Sequence, residues 1–478
     1  MLFNSLSFGI FFIGVTTAYF ALPYRLRWML LLAASCYFYM AFIPIYILIL
    51  LFTILVDYVA GIGIEGAQGP KRKLLLILSI IANVGVLAVF KYFNFLNGNL
   101  AALAHFLDWN YPIQNLSLIL PIGLSFHTFQ SLSYTIEVYR GRQKAERHLG
   151  LFALYVMFYP QLVAGPIERP QNILHQFREP YDFDYDRVTS GLKLMAWGLF
   201  KKAVIADRLA VFVNSIYGDP THYTGFALVL ATYFFAYQIY CDFSGYSDIA
   251  IGAARVMGFT LMENFHQPYL AQSVPEFWWR WHISLSTWFR DYLYIPLGGN
   301  RVSRWRWVFN TMLVFTVSGL WHGASWTFVI WGALHGFYII MTKFTQTAFA
   351  KGVDERKLGR LAWVSSVFNT LITFHLVAFA WIFFRAATLR DAWYIVTHLL
   401  TDFHLRLNYG IGFGVVPAVI VIFCIAFVEG AQWLQRNRPL SFAVQPAWAR
   451  WSFYYLVIVL IVLFGVMKSN AQFIYFQF

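Results

Sequence analysis

Long apolar runs fill most of the chain, and short clusters of Lys and Arg punctuate them. A helix crosses a hydrocarbon core about 30 Å thick with about 20 apolar residues, and it satisfies every backbone N–H and C=O within its own segment. Runs that reach or approach this length are Leu6–Leu22, Trp28–Ala41, Ile45–Ile64, Leu74–Leu96, Leu116–Tyr139, Leu151–Val163, Val188–Ile216, Phe226–Tyr240, Trp307–Thr342, Leu361–Phe384, Ile411–Leu434 and Trp451–Met467. The pattern predicts an all-α polytopic membrane protein with about 11–13 transmembrane or re-entrant helices, the shorter runs being tilted or half-spans. No internal repeat, low-complexity linker or compositional break divides the chain, so residues 1–478 read as a single membrane domain.

Composition agrees with the pattern. The chain is 59% hydrophobic and 20% aromatic but only 12% charged, with a mean hydropathy of +0.58. That excludes a disordered chain and an ordinary soluble enzyme. Thirty-five Lys and Arg against 22 Asp and Glu give a net charge of +13. The surplus follows an alternation. Arg25 and Arg27 follow the first run, Lys71, Arg72 and Lys73 the third, and Arg140, Arg142, Lys144 and Arg147 the fifth. The connections around Pro44 and from Asn97 to Asn115 carry no Lys or Arg. Short cytoplasmic loops collect cations, so the N-terminus is expected on the outer face of the membrane. The loop with Lys351, Arg356, Lys357 and Arg360 is then inside and the tail Lys468–Phe478 outside. Orientation and anionic headgroups account for the basic balance, and no nucleic-acid partner is called for. No small-residue cleavage pattern closes Leu6–Leu22, which reads as a retained span. Cys36, Cys241 and Cys424 lie far apart in apolar stretches and read as core residues.

The first candidate for chemistry comes from a length mismatch. Trp307–Thr342 holds no formal charge, and as one helix it would run about 54 Å, too long for one crossing. It must break, and Ser318-Gly319 and Gly323 suit a break, with Leu320, Trp321 and His322 between them. Charging an imidazole at that depth costs several kcal/mol, so His322 is expected to stay neutral with one nitrogen free to accept a proton. It reads either as a general base or as a packing histidine bonded to a carbonyl and a Ser or Trp donor. His335, thirteen residues on, falls on roughly the opposite face of a continuous helix and reads as structural.

Residues 275–300 mix four Trp with Arg, His, Glu and Asp, too polar to span and too aromatic for a free loop. They belong at the headgroup level or in a funnel open to the cytoplasm. Arg280, Arg290, Arg301, Arg304 and Arg306 either grip the phosphates of coenzyme A or a phosphopantetheine arm, or serve as positive-inside anchors. In Cys241 to Asp248, Asp242 and Asp248 read either as organisers of a polar turn or as partners of nearby arginines, a carboxylate dyad being the sharper alternative. HExxH, Walker and GxSxG patterns are absent.

Two motifs carry a resemblance. Trp278-Trp279-Arg280-Trp281-His282-Ile283-Ser284-Leu285-Ser286-Thr287-Trp288-Phe289-Arg290-Asp291-Tyr292, followed by Gly319-Leu320-Trp321-His322-Gly323-Ala324, resembles the membrane-bound O-acyltransferase family. Residues 242–252, Met262-Glu263-Asn264-Phe265 and Phe473-Ile474-Tyr475-Phe476-Gln477-Phe478 look like the branch that acetylates alginate and cellulose, with teichoic-acid D-alanyl transfer as a more distant cousin. The resemblance implies a ring of tilted helices around a thin centre. It makes His322 and His282 the catalytic histidines, and Arg280, Arg290, Asp291 and Trp321 the donor funnel. It offers Tyr475 as an acyl way-station. The implied function is passage of an acetyl group from acetyl-coenzyme A or an acylated carrier across the membrane to an exported polysaccharide. Another acceptor, as in D-alanyl or peptidoglycan modification, or a non-enzymatic transporter or scaffold, is the alternative. No permanently bound cofactor or metal is implied. The implied partners are the lipid bilayer, a periplasmic hydrolase-like acetyltransferase and a polysaccharide export complex.

Overall fold

A computed structural model describes residues 1–349, 362–404, 413–437, 446–466 and 473–474, and among them every regular element is helical. Lys351, Arg356, Lys357 and Arg360, whose loop entered the orientation argument, lie outside the described residues, as does Tyr475. Among the described residues seven helices are long and apolar enough to cross a membrane: Pro44–Gly66, Gly69–Phe106, Phe226–Met257, Trp326–Thr345, Trp363–Arg385, Val415–Leu434 and Ala447–Phe464. Leu6–Ala21 is apolar but shorter. The chain is a polytopic membrane protein of the all-α class.

Two compact units divide it. The first is Met1–Met195 with Ser247–Met262, and the second is Ala196–Tyr246 with Glu263–Phe478. In the first unit the buried carboxylates are held by polar neighbours. Asp57, fully buried on helix Ile47–Gly66, accepts hydrogen bonds from Ser79 Oγ at 2.6 Å and from Asn83 Nδ2 at 2.9 Å. Glu168 accepts from the Met262 backbone N–H at 2.6 Å and from Asn172 Nδ2 at 3.2 Å. Each bond offsets part of the cost of removing a carboxylate from water.

The second unit is built on aromatic rings. Trp281, Trp331 and Trp381 are all fully buried, and Trp331 stacks on Trp381 with ring centroids 5.7 Å apart. Helix Arg304–His322 and helix Trp326–Phe349 form a hairpin in backbone contact. A Cβ on Gly319 would lie 2.2 Å from the Phe328 carbonyl oxygen, and one on Gly332 would lie 2.2 Å from that of Phe315. Only glycine permits this crossing, the small-residue packing that membrane helices use for close approach.

The expected break in Trp307–Thr342 falls at Gly323, with the second helix starting at Trp326, while two other boundaries move. The run from Leu116 becomes helical only at Leu124. The apolar run from Phe226 does not end in a polar turn but continues as one helix to Met257, carrying Asp242, Ser244 and Asp248 within it. The most apolar stretch of that helix is 72% buried inside the protein, so its polar groups meet protein rather than lipid and need not end it.

Candidate functional site

The site in the second unit starts from the end of a helix. His322 is the last residue of Arg304–His322, and Gly323 leaves the helix extended, at φ −157° and ψ 145°. A Cβ at Gly323 would fall 2.1 Å from the Phe328 ring, so the chain turns there only with glycine. The His322 ring is held edge-on by Trp331 at 5.0 Å and Phe384 at 5.3 Å, with Trp321 at 4.8 Å. It keeps 5% of its surface exposed, while His282 and His335 keep none.

His282 is positioned by a strained turn. It caps helix Ile283–Phe289 with left-handed backbone, φ 42° and ψ 56°, a conformation unusual for a residue with a Cβ. Asn264 holds that turn from the side. Its carbonyl accepts the Ile283 N–H at 3.0 Å and its Oδ1 accepts the Ser284 N–H at 3.1 Å. The Phe243 ring packs edge-on to His282 at 4.5 Å. Burial pulls the His282 pKa down to about 3, so the ring is neutral at pH 7. The ring centroids of His282 and His322 are 6.4 Å apart. Ring atoms lie only about 1.2 Å from a centroid, so the nearest atoms of the two rings stay beyond hydrogen-bond reach, and the rings are neighbours rather than a bonded pair.

A cavity of about 230 Å³ approaches along the same hairpin. Trp307, Thr311, Val314 and Ser318 line it, and this spacing is one stripe of helix Arg304–His322. The stripe continues to His322, one turn and about 6 Å beyond Ser318. Trp278 and Trp279 line the cavity from the opposing segment, and Arg290 is the cation in its wall. The Arg290 guanidinium lies over Trp279 at 5.8 Å and bonds Asp291 at 2.8 Å. Arg280 pairs with Glu276 instead, one helical turn away, and does not line this cavity. Trp321 is buried between the two histidines, 4.8 Å from the His322 ring and 6.2 Å from that of His282.

Sequence reasoning passed over a buried ion cluster. Lys202 Nζ lies 2.8 Å from Asp207 Oδ1 and is also paired with Asp242, all three side chains being almost fully buried. Asp242 therefore pairs with a lysine rather than an arginine, and its Oδ2 accepts the Ile474 backbone N–H at 2.7 Å. Phe473 rests on Tyr246 at 4.7 Å and on Phe243 at 5.6 Å. The signal was present in the sequence: Lys201-Lys202 inside an apolar run is costly in lipid and marks a built site. The rotation that set His335 apart from His322 assumed a continuous helix. With the break at Gly323, both rings pack on Trp331, each at 5.0 Å.

The model of the membrane-bound O-acyltransferase family matches residues 147–385. The chain is 40% identical over 396 residues to the probable alginate O-acetylase of Pseudomonas aeruginosa, covering 82% of this chain and 74% of that protein. The probable alginate O-acetylase of Pseudomonas putida is 35% identical over 500 residues, all of both chains. The peptidoglycan O-acetyltransferase of Helicobacter pylori is 32% identical over 492 residues, 94% of this chain and 91% of that one.

Proposed function

The chain belongs to the membrane-bound O-acyltransferase family, and from that premise we propose that it passes an acetyl group from a cytoplasmic thioester to an exported polysaccharide of the alginate or cellulose kind, with His322 as general base. The observation that carries the reading is the stripe Trp307, Thr311, Val314 and Ser318, which lines a cavity and ends on a buried imidazole at a helix break. The donor is acetyl-coenzyme A or an acylated carrier, with its thioester end directed along the stripe and Arg290 at the wall. As an acceptor hydroxyl attacks the thioester carbonyl, His322 takes its proton. The carbon–sulfur bond breaks, and the proton passes on to the departing thiolate. The nearby neutral His282 and the indole of Trp321 shape the pocket around that step.

Tyr475 is the proposed way-station for the acyl group. Its support is the residue before it: Ile474 is tied to Asp242, and Phe473 packs on Phe243, which itself touches His282. In this reading residues 1–478 act as one membrane domain in a bacterial inner membrane, with both termini periplasmic. A periplasmic hydrolase-like partner receives the group for the polymer. Peptidoglycan is the second acceptor to test, because the Helicobacter pylori relative matches nearly the whole chain.

The test is reconstitution in sealed vesicles with acetyl-labelled coenzyme A outside. The expected result is label on the protein itself, chased to alginate or cellulose fragments when the periplasmic partner is added. Label that never leaves the thioester, under conditions where the protein is folded and inserted, contradicts the proposal.

A further inference from the structure

His335 is fully buried on helix Trp326–Phe349, one turn after Trp331. Its Nδ1 accepts a hydrogen bond from the Trp278 indole N–H at 3.2 Å. A neutral imidazole that accepts at Nδ1 carries its proton at Nε2, so the bond fixes both tautomer and ring plane. Trp278 belongs to the cavity wall on its other side. Trp331 is packed between two imidazoles, edge-on to His335 at 5.0 Å and to His322 at 5.0 Å, and Trp381 stacks on it. One unbroken set of contacts therefore leads from the cavity wall through Trp278, His335 and Trp331 to His322.

A leucine at 335 would fill similar space without a buried imidazole to desolvate. It would also take away the acceptor of the Trp278 N–H and free the indole to turn. We infer that His335 is a positioning residue for acyl transfer: by holding Trp278 in the cavity wall and Trp331 against His322, it keeps the cavity and the base in register. It forms no bond to substrate and moves no proton. The inference rests on His322 being the base, and it assigns His335 a part in the chemical step rather than in donor binding.

The experiment uses the full chain in nanodiscs, with acetyl-coenzyme A as donor and an oligosaccharide acceptor. His335→Leu is expected to lower kcat about 10²-fold, the scale on which small misplacements act, while the KM for acetyl-coenzyme A changes little. His335→Gln offers Trp278 a carbonyl acceptor and recovers most of that loss at the same melting midpoint. If His335→Leu does not fold, Trp278→Phe removes the same bond from its other end and is expected to reproduce the fall in kcat. A wild-type kcat in His335→Leu or Trp278→Phe overturns the inference, as does a His335→Gln enzyme of equal stability that is as slow as the leucine variant. His322→Ala runs beside them. If it is inactive while His335→Leu is at full speed, only the positioning role fails; if it is itself fully active, the assignment of the base fails too.

Discussion

His127 and His322 are both imidazoles buried in helical units, and their settings differ in a way that separates packing from chemistry. His127 lies in the first turn of its unit's helix Leu124–Tyr139, 3% exposed and edge-on to Tyr39. Its backbone N–H donates to the Gly123 carbonyl at 3.1 Å, so its own backbone is regular helix. His322 ends its helix where the chain breaks, continues a stripe of cavity-lining residues, and stands 6.4 Å from a second imidazole. Burial alone does not make a base. The role proposed for His322 draws on the helix break at its own position and on the cavity-lining stripe that ends one turn before it.

The carboxylates point the same way. Asp57 and Glu168 of the first unit are met by hydroxyl, amide and backbone donors, an arrangement that stabilises the fold. In the second unit Asp207 and Asp242 grip a buried lysine, and Asp242 also holds the backbone of Ile474. A cluster of this kind confers little net stability over apolar packing, so its value lies in fixing one arrangement of the chain end.

The comparison can be broken at four places. His322→Ala should cost about 10²–10⁴ in steady-state acetylation, as loss of a proton-transfer group does, in protein shown by protease protection to be inserted. Lys202→Met removes the cation shared by two buried carboxylates and should destabilise the second unit by about 3–5 kcal/mol, read as a lowered melting midpoint in detergent. Gly332→Ala places a methyl against the Phe315 carbonyl, where the helices already touch, and should cost about 1–3 kcal/mol with a matching loss of transfer. His127→Leu is the control: it removes a ring with no hydrogen-bonded nitrogen and should leave the transfer rate within about twofold.

Much of this was legible before any coordinates. Length against membrane thickness demanded a break in Trp307–Thr342, and the glycines beside His322 marked where. Other features depended on contacts between distant parts of the chain. The partners Lys202 and Asp242 are 40 positions apart, and Ile474 is 232 from Asp242, so no local pattern could pair them. The helix Phe226–Met257 was cut short because Asp242, Ser244 and Gly245 read as a turn. Burial against protein allowed it to continue. The rotation that separates His335 from His322 holds only on an unbroken helix, and in the structure the two rings meet through Trp331.

The central claim is that His322 performs the proton transfer in the acyl-transfer step. A single-turnover measurement in nanodiscs, with labelled acetyl-coenzyme A prebound and acceptor added by rapid mixing, separates donor binding from chemistry. The account predicts that His322→Ala binds the donor as wild type does and transfers its label at least about 10²-fold more slowly. Transfer at the wild-type rate by that variant would contradict it.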